Sequence, residues 1–166
     1  RKKKKKPSLD YKIITSWNGL MISGYVNAYK AINDEVFKNE AINAGEFIYS
    51  NLVKKDGGLF HNYVNGQSKI NGYLEDYAMV IQASLDIYEI SLNQIWIERA
   101  LKLSEYVINN FSSNDSELFY FTSRKDEDLI SRSVEFRDNV IPSSKIGRAH
   151  VWTPVTDVSR MPSSAW

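Results

Sequence analysis

The sequence predicts an all-α fold of stacked αα-hairpins joined by short β-hairpins. Two stretches, residues 18–33 and 74–91, are apolar nearly all round at helical spacing. Each is followed by an amphipathic stretch, 36–53 and 94–111. A constant shift of 59 residues lays the first pair on the second without a gap.

Each element has its own signature. Residues 18–33 carry Leu20, Met21, Ile22, Tyr25, Val26, Tyr29 and Ile32, so this helix is expected to be buried on most sides, with Ser16 as its N-cap. In 36–53, Phe37, Ala41, Ala44, Ile48 and Leu52 make one stripe and polar residues lie off it, the pattern of a surface helix. Asp56-Gly57-Gly58 breaks that pattern, and Leu59 to Ile70 reads as a hairpin turning at Asn65-Gly66. The alternation then returns. Residues 74–91 place Leu74, Tyr77, Ala78, Ile81, Leu85 and Tyr88 at helical spacing. Residues 94–111 turn Trp96, Ala100, Leu103, Val107 and Phe111 one way, and a second hairpin is expected over Leu118 to Ile130. The register pairs Tyr29 with Tyr88, Phe37 with Trp96, Ala41 with Ala100 and Ile48 with Val107. This is an internal repeat whose units bury their faces by stacking on neighbours. A closed toroid and an open helical solenoid both satisfy it.

Charge divides the 166 residues into three regions. Arg1 to Lys6 carries +6, and residues 145–166 carry +2. Residues 7–144 hold 12 basic and 19 acidic side chains, a net of −7, which argues against a nucleic-acid platform. No aromatic residue interleaves the basic run to stack on a base, so it reads as a solvated linker. Absence of cysteine excludes disulfides and thiolate sites and suits a cytoplasmic protein. No apolar run approaches the ~20 residues of a membrane helix, so no membrane partner is expected. From Lys145 the helical logic stops. Residues 145–166 resemble a translated sequencing adapter and are expected to be a disordered, non-native tail.

Three polar clusters stand at the starts of the buried-type helices. The first runs from Asp10 and Lys12 to Thr15-Ser16-Trp17-Asn18-Gly19-Leu20. The second is Gly72-Tyr73-Leu74-Glu75-Asp76-Tyr77-Ala78, and the third runs from Asp138 to Pro142-Ser143-Ser144. If the buried helices form an inner ring, all three share one rim, where helix N-termini offer free N–H groups and a positive dipole end.

These clusters resemble the spermatogenesis-associated protein 20 family, which includes the bacterial YyaL-type proteins. The resemblance rests on Arg1, Pro7, Asp10, Lys12, Thr15, Trp17, Asn18, Gly19 and Leu20, on the Leu-Glu-Asp-Tyr-Ala box at 74–78, and on a Pro-Ser-Ser box ending at Ser144. It covers essentially all of residues 1–144 and implies a partial (α/α)6 toroid of the six-hairpin glycosidase type. It also implies a thioredoxin-like domain elsewhere in the parent chain. The domains expected are a basic linker and lead-in loop at 1–17, the partial toroid at 18–144 and the tail at 145–166. The repeats fall at about 18–73 and 74–137.

For the residues themselves two readings stand side by side. Glu75 and Asp76 could supply a general acid or base, or could complement the helix dipole. Only one of them is expected to face a pore, since helix neighbours diverge by ~100°. Trp17 could stack on a sugar ring or anchor a core, and Asn18 could bind a hydroxyl or cap the helix. Asp10 and Lys12 suit an ion pair. His61 could transfer protons from the hairpin or be structural; Tyr77 and Asp138 complete the candidate substrate contacts, although Tyr77 also sits at core spacing. No ligand cluster for a metal is evident, and no cofactor is expected. The expected ligand is a carbohydrate or sugar derivative. The alternative is a non-catalytic binding or scaffold module serving the thioredoxin-like domain. Either way, two hairpins alone are expected to be inactive.

Overall fold

Helices form where the apolar spacing places them. The computed structural model of the chain describes residues 10–113 and 118–126. The elements are β1 (Ile13–Ile14), α1 (Thr15–Ile32), α2 (Glu35–Asn51), β2 (Phe60–Val64), β3 (Gln67–Asn71), α3 (Leu74–Ser91) and α4 (Ile95–Phe111). The basic run at 1–6, the cluster from Asp138 to Ser144 and the segment 145–166 lie outside the described residues.

The repeat is visible in the backbone. Asn33 and Leu92, 59 residues apart, end α1 and α3 in the left-handed region, both at φ 54°. Their N–H groups donate to the carbonyls of Tyr29 and Tyr88 at 2.7 and 2.8 Å. The side chains of Asp34 and Asn93, again equivalent, accept from the N–H groups of Val36 and Ile95 at 3.0 and 3.1 Å, starting α2 and α4. Lys30 and Glu89, another equivalent pair, form an ion pair between α1 and α3. Left-handed backbone suits Asn33 and strains Leu92, which is 75% exposed. Leu92→Asn is therefore expected to raise stability by about 1 kcal/mol, read as a higher urea midpoint at unchanged slope.

Packing follows the two-layer expectation. α1 and α3 lie against each other, α2 packs on α1, and α4 packs on α3. Between the layers lie the fully buried Ile22, Val26, Ile48, Ile81, Ile87, Trp96 and Phe111. Tyr77 stacks on Tyr106 at 5.5 Å and meets Phe111 edge-on at 5.1 Å. The inner helices touch closely at Gly19. A Cβ there would lie 2.8 Å from the backbone carbon and oxygen of Met79. On the outer layer Arg99 donates to both carboxylate oxygens of Glu46 at 2.7 and 2.9 Å and spans Tyr49 and Trp96. Burial pushes the Tyr49 hydroxyl up to about 12.

Three expectations need correction. α1 is not buried all round: Trp17 is 63% exposed, Leu20 45%, Met21 43% and Ile32 63%. α3 is the helix enclosed by α1, α2 and α4, whereas α1 packs chiefly on α2 and α3 and touches β2 at its start. Next, α1 begins at Thr15 rather than at 18, with Ile14 at the cap position and no side-chain cap. Ser16 is inside the first turn because a carboxylate from α3 takes its N–H. Last, the second connector, expected as a hairpin over Leu118 to Ile130, is described only to residue 126, and that part is not a ladder. It makes one bridge, Ser112 to Phe119, and returns to α3, where the Leu74 N–H donates to the Phe121 carbonyl at 3.0 Å.

The first connector is the hairpin expected. β1, β2 and β3 pair antiparallel in that order, and Asn65 and Gly66, at φ 50° and 79°, make the two-residue turn. No described helix is long and apolar enough to cross a membrane.

Candidate functional site

The first turns of α1 and α3 meet at Asp76, whose side chain is completely buried. A carboxylate in that position needs donors, because burying it bare costs several kcal/mol (order of magnitude). Two backbone N–H groups and one histidine ring nitrogen meet it. Ser16 N donates to Oδ1 at 2.9 Å. Tyr73 N donates to Oδ2 at 2.9 Å, closing the reach-back that starts α3. His61 Nδ1, from β2, meets the same Oδ2 at 2.9 Å. Asp76 thus satisfies free amides of two helix starts and fastens the hairpin to both. Thr15 adds a second tie, its hydroxyl donating to the Phe60 carbonyl at 2.6 Å.

Around this hub lie Glu75, half-buried beside Asp76, and His61, whose side chain is 19% exposed. The His61 ring tilts against Tyr73 at 4.9 Å, and Tyr73 stacks on Phe121 at 4.8 Å. The hydrogen bond to Asp76 raises the His61 pKa above the ordinary histidine value of 6.5, against the opposing effect of burial. A group raised on folding contributes stability that is full below its unfolded value and is lost as pH rises through its folded value. Wild type should therefore exceed His61→Gln most at about pH 6, with the difference shrinking toward about pH 9. Paired urea titrations across that range check it; a difference that grows with pH would contradict the assignment.

His61, Glu75 and Asp76 offer donor atoms within 4.8 Å of one another, a spacing a cation could use. Three of the roughly four lone-pair sites of Asp76 are already met by nitrogen atoms of the chain, so a hydrogen-bonded group fits the chemistry better than a ligand set.

The candidate residues take distinct places. Trp17, next to Ser16, stands exposed on the α1 side of the rim and does not anchor a core. Asn18 neither caps the helix nor points away from it: its amide donates to the Ile14 carbonyl at 2.8 Å. Tyr77, expected among the substrate contacts, is 1% exposed and accepts from the Leu59 N–H at 2.8 Å. It belongs to the core, one helical step of ~100° away from Asp76. Asp10 and Lys12 form the expected ion pair at 3.0 Å, exposed on the lead-in loop. Asp138 is outside the described residues.

Sequence reasoning missed the Tyr73–Phe121 stack and the strained Ile70. Ile70, at φ 61°, is β-branched, a costly choice for left-handed backbone. It falls between the paired positions Asn71 and Lys69, across the hairpin from His61. Tyr73 and Phe121 carried one weak signal, two aromatics flanking the polar box in adjacent connectors.

Comparison with known proteins places this geometry. No family model matches the chain. It is 30% identical over 160 residues to spermatogenesis-associated protein 20 of Rattus norvegicus, a match covering 90% of this chain and 20% of that protein. The chain spans about a fifth of the length of the curated relatives it matches. Among solved structures it is similar to cellobiose 2-epimerase from Bacillus thermoamylovorans, with TM-score 0.72 and 15% identity, over 90% of this chain and 42% of that one. It is also similar to a GH76 alpha-mannanase of Bacteroides thetaiotaomicron, with TM-score 0.70 and 14% identity, over 95% of this chain and 41% of that one. The fold is a partial α/α toroid, and the solenoid alternative falls away.

Proposed function

We propose that this chain is part of a protein of the spermatogenesis-associated protein 20 family whose toroid acts on a carbohydrate or sugar derivative. The rim of joined helix starts is the site. Glu75 serves there as acid or base beside His61, and Trp17 offers a flat apolar face to a sugar ring. In the same reading the parent is cytoplasmic and carries a thioredoxin-like domain, residues 145–166 are foreign to it, and the two hairpins alone do not turn over substrate. The observation that carries the proposal is the convergence of His61, Glu75 and Asp76 within 4.8 Å at the α1–α3 rim, where Ser16, the residue before exposed Trp17, is bonded to Asp76. Support comes from the sugar-acting names of the structural neighbours.

The test uses the intact rat relative, incubated with aldoses, disaccharides and aryl glycosides and followed by NMR. Turnover is expected, with loss of about 100-fold or more when the position matching Glu75 is replaced by glutamine, at unchanged melting temperature. A second reading, a binding or scaffold module without chemistry, is favoured by the engagement of Asp76 in structural hydrogen bonds. Absence of both turnover and sugar-induced thermal shift across the panel would establish that reading instead.

A further inference from the structure

We propose that Asp76 is a positioning residue rather than an acid or base: it holds His61 with the proton on Nδ1, leaving Nε2 as the proton-transfer atom of the rim. The inference deepens the sugar-site reading and rests on it for its biological role.

The geometry carries the assignment. As a carboxylate Asp76 offers acceptors only, and Oδ2 already accepts from Tyr73 N, so the His61 nitrogen 2.9 Å away is assigned as the donor. That fixes which nitrogen carries the proton. Asp76 cannot swing aside to release the ring. Its other oxygen is tied to Ser16 N on α1, and Oδ2 is also tied to Tyr73 N, each at 2.9 Å. The ring is further braced by Tyr73, which is itself stacked on Phe121. The His61 side chain keeps 19% of its surface exposed, and with Nδ1 held against the fully buried Asp76 carboxylate, Nε2 is the ring nitrogen left for a substrate. Nε2 has no hydrogen-bond partner among the described residues.

The titratable groups facing the ring are Asp76 and Glu75 from α3 and Tyr73 from the loop before it. In the forward step, neutral Nε2 accepts a proton from a substrate O–H or C–H, giving imidazolium and the substrate anion. The buried Asp76 carboxylate stabilises the new cation. In the return step Nε2 gives the same proton back, so no other reactant is consumed. A buried carboxylate orienting an imidazole in this way keeps the correct tautomer available near neutral pH.

The experiment uses the full 166-residue chain, labelled with nitrogen-15, and reads the tautomer of His61 from its ring nitrogen shifts. The Nδ1–H form is expected to exceed the Nε2–H form by about tenfold or more, as one hydrogen bond to a charged acceptor dictates. Asp76→Asn should bring the two forms toward parity. Should that variant not fold, the wild-type ratio alone decides the matter. A predominant Nε2–H form, or an unchanged ratio in a folded Asp76→Asn, would overturn the proposal. Accessibility has its own readout. Diethyl pyrocarbonate should modify His61 in the folded chain, detected by mass spectrometry, and a fully protected His61 would also overturn it. Neither readout depends on sugar turnover, so failure of the sugar reading leaves the dyad standing, and the converse holds.

Discussion

Asp76→Ala should cost about 3–5 kcal/mol, the range for removing one partner from a buried charged network. The substitution leaves Ser16 N and Tyr73 N without their acceptor and frees the β-hairpin from His61. It therefore uncouples the α1 start, the α3 start and the sheet at once. In a piece of a larger fold, with one inner helix open on its flank, a loss of that size is expected to unfold the chain outright. Chemical denaturation followed by circular dichroism measures it. A cost below about 1 kcal/mol would show that water or another donor–acceptor arrangement replaces the carboxylate cheaply.

Gly19→Ala is the second large effect. The added methyl would meet the backbone of Met79 at 2.8 Å and its Cβ at 2.9 Å. Backbone cannot rotate away as a flexible side chain can, so α1 and α3 must separate. Overpacking of this kind costs about 1–3 kcal/mol, and separation also stretches the Ser16–Asp76 and Lys30–Glu89 links on the same helix pair. Gly24→Ala, on the exposed part of α1 where a Cβ meets nothing within 4 Å, is the control. It should be neutral or slightly stabilising, by roughly the helix-propensity gain of up to 1 kcal/mol. Equal losses at the two glycines would contradict the packing described.

Much of the fold was legible because it is local. The 3.6-residue period placed all four helices to within about three residues, and Asn65-Gly66 placed the hairpin turn. The constant register extended even to the helix ends: the C-caps Asn33 and Leu92, and the side-chain acceptors Asp34 and Asn93 ahead of α2 and α4. What failed was set by partners far along the chain. The start of α1 depends on Asp76, 60 residues away, so no local cap signal could find it. The exposed face of α1 and the enclosed α3 carry the same kind of apolar pattern, and nothing in that pattern says which neighbours are present. Within the site, Glu75, Asp76 and the Trp17 cluster were legible as residues sharing one rim. The contact of His61 with Asp76 was not, because the face a strand residue presents depends on register across the sheet. Of the two readings of Tyr77, its core spacing was the one that located it. It is adjacent to Asp76 in sequence yet turns into the core, where its hydroxyl serves the Leu59 amide.

The measurement that bears most directly on the rim as a site is an experimental structure of an intact relative such as the rat protein, with the ring of helices complete. The side chains matching Trp17, His61 and Glu75 are expected to line one pore, with a second carboxylate about 5–10 Å across it from the glutamate, the separation glycoside chemistry uses. A rim closed by apolar packing, or a pore with no carboxylate facing that glutamate, would contradict the account.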